Sequence, residues 1–144
     1  MKTVREVLNG KGREVLSVDP DSTVYDAVKL MADRNIGALL VLEGERVLGI
    51  VTERDYARQV ILKGKASKDT PVRDIMTQRV VFIRLEQSVD DCMAVMTDKR
   101  CRHLPVLEDG KLAGILSIGD VVKAVISDKQ FIIEQLENYI ASGG

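Results

Sequence analysis

Two stretches of this 144-residue chain place a carboxylate three positions after a hydroxyl: Thr52 and Asp55 in GIVTERD, Ser117 and Asp120 in GILSIGD. Each runs from a glycine through two aliphatic residues to the hydroxyl, as a strand does when it gives way to a helix. A hydroxyl at such a junction can donate to an anion such as phosphate, and the helix start adds backbone N–H groups and the positive end of its dipole. A carboxylate one turn further on can accept hydrogen bonds from both hydroxyls of a ribose. Together these groups suit a nucleotide. Arg102 and His103, just before another strand, offer a charge-assisted grip on phosphate and a ring N–H donor. The first half has Gly37 and Ala38 in their place, but Arg54 stands where the second half has Gly119.

Hydroxyl-x-x-carboxylate is also the spacing of a helix-capping box with Asp in place of Glu, and Thr23-x-x-Asp26 and Ser88-x-x-Asp91 repeat it at helix starts with no ligand chemistry nearby. Taken singly, Arg102 reads equally as a solvated charge and His103 as a structural histidine. What lifts the junctions above a cap is repetition. Val24, Asp26, Met31, Asp33, Leu39, Val41, Leu42, Glu43, Gly49, Ile50 and Asp55 recur 65 residues later, without a gap, as Val89, Asp91, Met96, Asp98, Leu104, Val106, Leu107, Glu108, Gly114, Ile115 and Asp120.

The elements that must position these groups read in the same order in each half. A short strand over Val15–Val18 or Val80–Ile83 is followed by a helix with one apolar face: Val24, Ala27, Val28 and Met31, or Val89, Cys92, Met93 and Met96. Cys92 is therefore a core residue. Two aliphatic strands follow, joined by turns at Glu43-Gly44-Glu45 and Asp109-Gly110, and a second helix starts near Asp55 or Asp120. The fold class is α/β (α+β): two β-α-β-β-α motifs packed pseudo-symmetrically through their sheets, each covering the open sheet face of the other. The stretch LKGKASKDTPVRDIMT reads as an exposed connection. Ser127 to Gln130 has the spacing of a further capping box, which predicts a fresh helix continuing the apolar pattern of Ile132, Ile133, Leu136 and Ile140. That helix has no counterpart in the first half and is suited to partner contact.

Composition narrows the function further. A formal net charge of −1 gives no basic excess for nucleic acid. Aromatic residues make up 3% with no Trp, which argues against a stacking platform or a carbohydrate cleft. No apolar run reaches the roughly 20 residues that span a bilayer. Without an apolar leader-like run at the start, Cys92 and Cys101 read as reduced cytoplasmic thiols rather than a disulfide. A single His and no metal-ligand cluster give little to an enzyme. Cys101, between Arg100 and Arg102, is expected to have a lowered pKa, but only His103 could serve it as a base.

With these residues in view, the chain resembles a tandem pair of cystathionine-beta-synthase (CBS) motifs, the arrangement called a Bateman module. The marks are GIVTERD and GILSIGD, the DIMT stretch at Asp74–Thr77, and NIGALLV and CRHLPVL leading the middle strands. The resemblance implies motifs over 11–64 and 76–127 with a connection over 65–75, and the apolar pattern beyond them places the C-terminal helix over 128–141. It also implies a non-catalytic regulatory sensor that binds an adenosine-containing nucleotide in clefts between the motifs, AMP ahead of NAD or ATP, with no metal required. One cleft would use Ser117, Asp120, Arg102 and His103, with Leu16, Ile36, Gly37 and Ala38 bordering the adenine. The other would use Thr52, Arg54 and Asp55, with Thr77, Val81, Cys101 and Arg102 around the base. The Asp120 site ranks as the better phosphate binder. The expected assembly is a homodimer acting on a regulated protein, without nucleic acid or membrane; the alternative is an interaction scaffold with vestigial clefts.

Overall fold

A computed structural model describes residues 2–141. The chain forms two compact units: one from Glu14 to Val80, the other from Val81 onward joined by the residues up to Arg13. The first contains β1 (Ser17–Val18), α2 (Val24–Arg34), β2 (Ala38–Glu43), β3 (Arg46–Thr52), the short α3 (Glu53–Tyr56) and a π-helical turn at Ala57–Ile61. The second contains α1 (Val4–Lys11), β4 (Ile83–Arg84), α4 (Val89–Lys99), β5 (His103–Glu108), β6 (Lys111–Ser117) and α5 (Ile118–Ala141). Both three-stranded sheets have the same order, with the first strand parallel and the third antiparallel to the middle one.

The repeat governs local geometry residue by residue. Val24, Ala27 and Met31 on α2, and Val89, Cys92 and Met96 on α4, are buried against their sheets, as the periodicity predicts. Thr23 and Ser88 cap these helices, accepting from the N–H of Asp26 and Asp91. Each helix ends on a left-handed residue, Asn35 or Arg100, with φ 54° in both. In the second hairpin Asp109 and Gly110 take φ of 53° and 78°, the two left-handed positions of a type I′ turn.

Four expectations need correction. The first strands are shorter and later than Val15–Val18 and Val80–Ile83, because only two residues of each find a parallel partner before the chain turns. At β1 the turn follows directly: Ser22 N–H donates to the Asp19 carbonyl at 3.0 Å, and Pro20 has no N–H with which to extend the ladder. No fresh helix begins at Ser127: α5 runs unbroken for 24 residues, since neither Gly nor Pro stands between Asp120 and Ala141. Gln130 instead donates along the helix to Glu134 at 3.4 Å. The stretch before Thr77 is not wholly an exposed connection, because Thr70, Val72 and Ile75 are buried and Val72 and Ile75 belong to the core of the 14–80 unit. Finally, the second unit is completed by a helix that the sequence reading left out, α1, whose Val4 and Leu8 are fully buried in its core.

These last two segments are counterparts. VREVL at Val4–Leu8 matches VRDIM at Val72–Met76, 68 residues apart instead of 65. Val4 and Arg5 donate their N–H groups to the carbonyls of Gln87 and Leu85 (2.8 and 3.0 Å), and Val72 and Arg73 do the same to Ser22 and Pro20 (2.8 and 3.1 Å). Each unit thus consists of a repeat and a docked arm. The docking explains the glycine of each motif: a Cβ at Gly49 would lie 2.7 Å from the Thr77 carbonyl oxygen and 3.0 Å from the Met76 sulfur. A Cβ at Gly114 would lie 2.9 Å from the Leu8 methyl carbons. Glycine is needed there for the arm, whatever a ligand requires.

Candidate functional site

Each hydroxyl-carboxylate pair lies where an antiparallel strand ends and a helix begins, and each closes a reciprocal capping box. Thr52 Oγ1 accepts from the Asp55 N–H at 3.1 Å while Asp55 Oδ2 accepts from the Thr52 N–H at 3.0 Å. Ser117 Oγ accepts from the Asp120 N–H at 3.1 Å while Asp120 Oδ2 accepts from the Ser117 N–H at 2.8 Å. The cap reading is therefore correct, and it positions the carboxylate: the bonds hold each Asp half-buried at the helix start. The strand before the hairpin closes the junction from the other side. Ala38 pairs with Thr52 and His103 with Ser117; the Gly37 carbonyl accepts from Glu53 N–H at 3.1 Å, and the Arg102 carbonyl from Ile118 N–H at 2.8 Å.

These bonds also limit what the helix start can offer an anion. Of the three leading N–H groups of α5, Ile118 is engaged by the Arg102 carbonyl and Asp120 by the Ser117 hydroxyl. Gly119 is the one left for a phosphate, where several were expected.

What faces the carboxylate separates the halves. Asp55 Oδ1 accepts from the Thr77 hydroxyl at 3.2 Å, and Thr52 Oγ1 lies 3.1 Å from Oδ2. Asp120 instead forms an ion pair through Oδ2 with Lys11, the last residue of α1. The same ammonium donates to the Ile115 carbonyl at 2.9 Å. Asp120 Oδ1 accepts no hydrogen bond among the described residues. Burial works to raise the Asp120 pKa, but the Lys11 ammonium and the Ser117 donors outweigh it and hold the carboxyl below its ordinary value. The His103 pKa is lowered, first by burial and then by the Lys11 and Arg102 cations, with the Asp120 carboxylate opposing. The ring is therefore neutral at pH 7 and offers one donor and one acceptor.

The structure brings Arg102, His103, Ser117 and Asp120 together in one unit, and Gly37, Ala38, Thr52, Asp55 and Thr77 in the other. Leu16 and Ile36 are half-buried against the core of the 14–80 unit, and Arg54 is exposed on α3. Val81 and Cys101 flank the core of the second unit. A lowered thiol pKa at Cys101 does not hold, since burial raises it. Cys92, fully buried beside Asp91, is raised to about 11, chiefly by burial. Among the described residues no group of three His, Cys, Asp or Glu side chains could hold a metal ion, and no helix is long and apolar enough to cross a membrane. Lys11 is the site residue that sequence reading missed. Its signal was present in the VRE and VRD stretches, but at a spacing three residues longer than the repeat.

Comparison with known proteins finds the same duplication. The sequence matches the CBS domain twice, over residues 4–61 and 72–127. It is 42% identical over 150 residues to the mitochondrial CBS domain-containing protein CBSX3 of Arabidopsis thaliana, covering 98% of this chain and 73% of the relative. The crystal structure of the CBS domain NE2398 is 50% identical and superposes with a TM-score of 0.83, over 87% of this chain and 98% of the other. The CBS domain pair of MJ0100, solved in complex with 5′-methylthioadenosine and S-adenosyl-L-methionine, shares the fold at TM-score 0.78 and 20% identity, over 89% and 98% of the two chains. Each matched segment takes in a docked arm, a sheet and a capped carboxylate, and on these grounds the chain belongs to the CBS-domain family, with two copies of the domain.

Proposed function

We propose that this CBS pair is a regulatory module that binds an adenine nucleotide, AMP ahead of NAD or ATP, and performs no catalysis. The observation that carries the reading is the Asp120 junction. Its carboxylate is ionised and fixed by a cap, with one oxygen open to ribose hydroxyls. Lys11, Arg102, His103 and the Gly119 N–H surround it as donors for phosphate. Thr52, Asp55 and Thr77 form the second, weaker site, with Arg54 as its nearby cation. The ligands of the MJ0100 pair, which contain adenosine and no phosphate, support the adenosine part of this reading. Leu16, Ile36, Gly37 and Ala38 are assigned to the base at the Asp120 site, and Val81 and Cys101 to the base at the Asp55 site.

The exposed apolar residues of α5, among them Phe131, Ile132, Leu136 and Ile140, favour an output through contact, in a homodimer or with a regulated protein. A ligand changes that contact only if it binds two states with different affinity. Small-angle scattering checks this: a changed profile at saturating nucleotide is the expected result, and identical profiles count against it.

Two measurements test ligand binding itself. Purified protein, denatured, should release material absorbing near 260 nm, a signal that no Trp obscures. Calorimetric titration with AMP, ATP and NAD should show binding, and its absence at millimolar ligand would refute the reading. A scaffold with vestigial clefts would give neither signal.

A further inference from the structure

Among the described residues Lys11 is the one cation paired with Asp120, and it comes from the arm that precedes the first sheet. It ends α1, is followed by Gly12 at φ 104°, and leaves about a third of its side chain exposed (31%). Its ammonium divides itself between the Ile115 carbonyl and Asp120 Oδ2. A diol that approaches Asp120 must therefore share the carboxylate with an ammonium already there. In the other half the counterpart partner is the uncharged Thr77 hydroxyl.

We propose that Lys11 makes the Asp120 site selective for phosphorylated adenosine ligands over the phosphate-free nucleoside. This rests on the nucleotide reading above and adds to it a residue and a discrimination. Adenosine offers hydroxyls to Asp120 but nothing to Lys11: a hydroxyl taken on Oδ2 weakens the charge-assisted bond to the ammonium without replacing it, and one taken on Oδ1 gives the ammonium no new partner. A phosphate, carrying between one and two negative charges at pH 7, gives the ammonium a new partner within reach of a flexible four-carbon stem. Lys11 then exchanges one anion for another and leaves Asp120 to the ribose. Arg102 adds positive charge on the same side, and His103, neutral, adds none. The Asp55 half, facing Thr77, lacks the exchange.

The chain has a single His, and it sits at this junction, so the His103 ring resonance is a probe beside Asp120 that no other histidine overlaps. Following it during titration with AMP and with adenosine should show at least tenfold tighter binding of AMP by the wild type. Lys11→Met, which keeps the stem and removes the charge, should reduce the ratio of the two affinities about tenfold, by weakening AMP and leaving adenosine equal or tighter. Lys11→Arg should retain the preference. An unchanged ratio in Lys11→Met overturns the proposal while leaving the nucleotide reading intact. Failure of the wild type to bind either ligand overturns both. Without ligand, the His103 pKa should rise in Lys11→Met because a neighbouring cation is gone; no rise would contradict the placement of Lys11 on which the proposal stands.

Discussion

Asp55 and Asp120 are held by the same capping box on the same strand-to-helix junction, yet one faces a hydroxyl and the other an ammonium. The repeat supplies what the two have in common: the glycine that admits an arm, the hydroxyl that caps, and the carboxylate that returns the bond. The arms supply the difference. Their apolar anchors match at Leu8 and Met76, and beyond those anchors the chain delivers Lys11 to one carboxylate and Thr77 to the other. A duplicated scaffold thus presents two chemistries because the segments docked on it diverge.

The largest way to disturb this comparison is to pull out an anchor. Leu8 is fully buried, so Leu8→Ala should destabilise the protein by about 2–5 kcal/mol in urea unfolding. Met76→Ala should cost less, since Met76 is only half-buried; equal losses would mean the arms are not distinguished by packing. Next come the glycines. Overpacking costs roughly 1–3 kcal/mol, and Gly49→Ala should fall at the upper end because its Cβ meets a backbone carbonyl, whereas at Gly114 it meets the movable side chain of Leu8. The reverse order would show that Leu8 cannot yield.

A smaller effect concerns pH. The folded His103 pKa lies below the unfolded value of 6.5, so its neutral ring contributes stability that is present above that pH and lost as pH falls through 6.5 towards the folded pKa. His103→Gln should flatten the decline in melting temperature between pH 7 and 5, and an unaltered slope would exclude this residue as its source. Asp120 acts in a lower window. Its folded pKa lies below 3.8, so the stability it contributes is present above that value and lost as pH falls through the folded pKa. The smallest effect belongs to Thr77→Val, which removes a solvent-exposed hydrogen bond to Asp55 and should change stability by about 1 kcal/mol or less.

Much of this architecture could be read from the sequence, for particular reasons. Met31, Cys92 and Met96 occupy helical faces that only burial explains, and Asp109-Gly110 specifies its hairpin through positive φ. The two junctions emerged because their residues recur at a fixed interval. The arms escaped because three extra residues lengthen the interval from 65 to 68, and because Val72 and Ile75 lie in a stretch otherwise polar enough to read as a loop. Lys11 escaped with its arm. A lysine beside Gly10 and Gly12 carries no local pattern, and its role arises from docking alone. Ser127 misled in the opposite direction: a capping spacing inside a continuous helix has no open N–H groups to cap.

The most direct test titrates AMP into Asp55→Ala and Asp120→Ala, each checked by circular dichroism to be folded. Hydrogen bonds to a charged group contribute about 1.5–3 kcal/mol, so Asp120→Ala should lose roughly tenfold to a hundredfold in affinity per bond removed. Asp55→Ala should leave that tighter binding event nearly unchanged. Equal losses in the two variants, or a greater loss in Asp55→Ala, would contradict the assignment of Asp120 to the better nucleotide site.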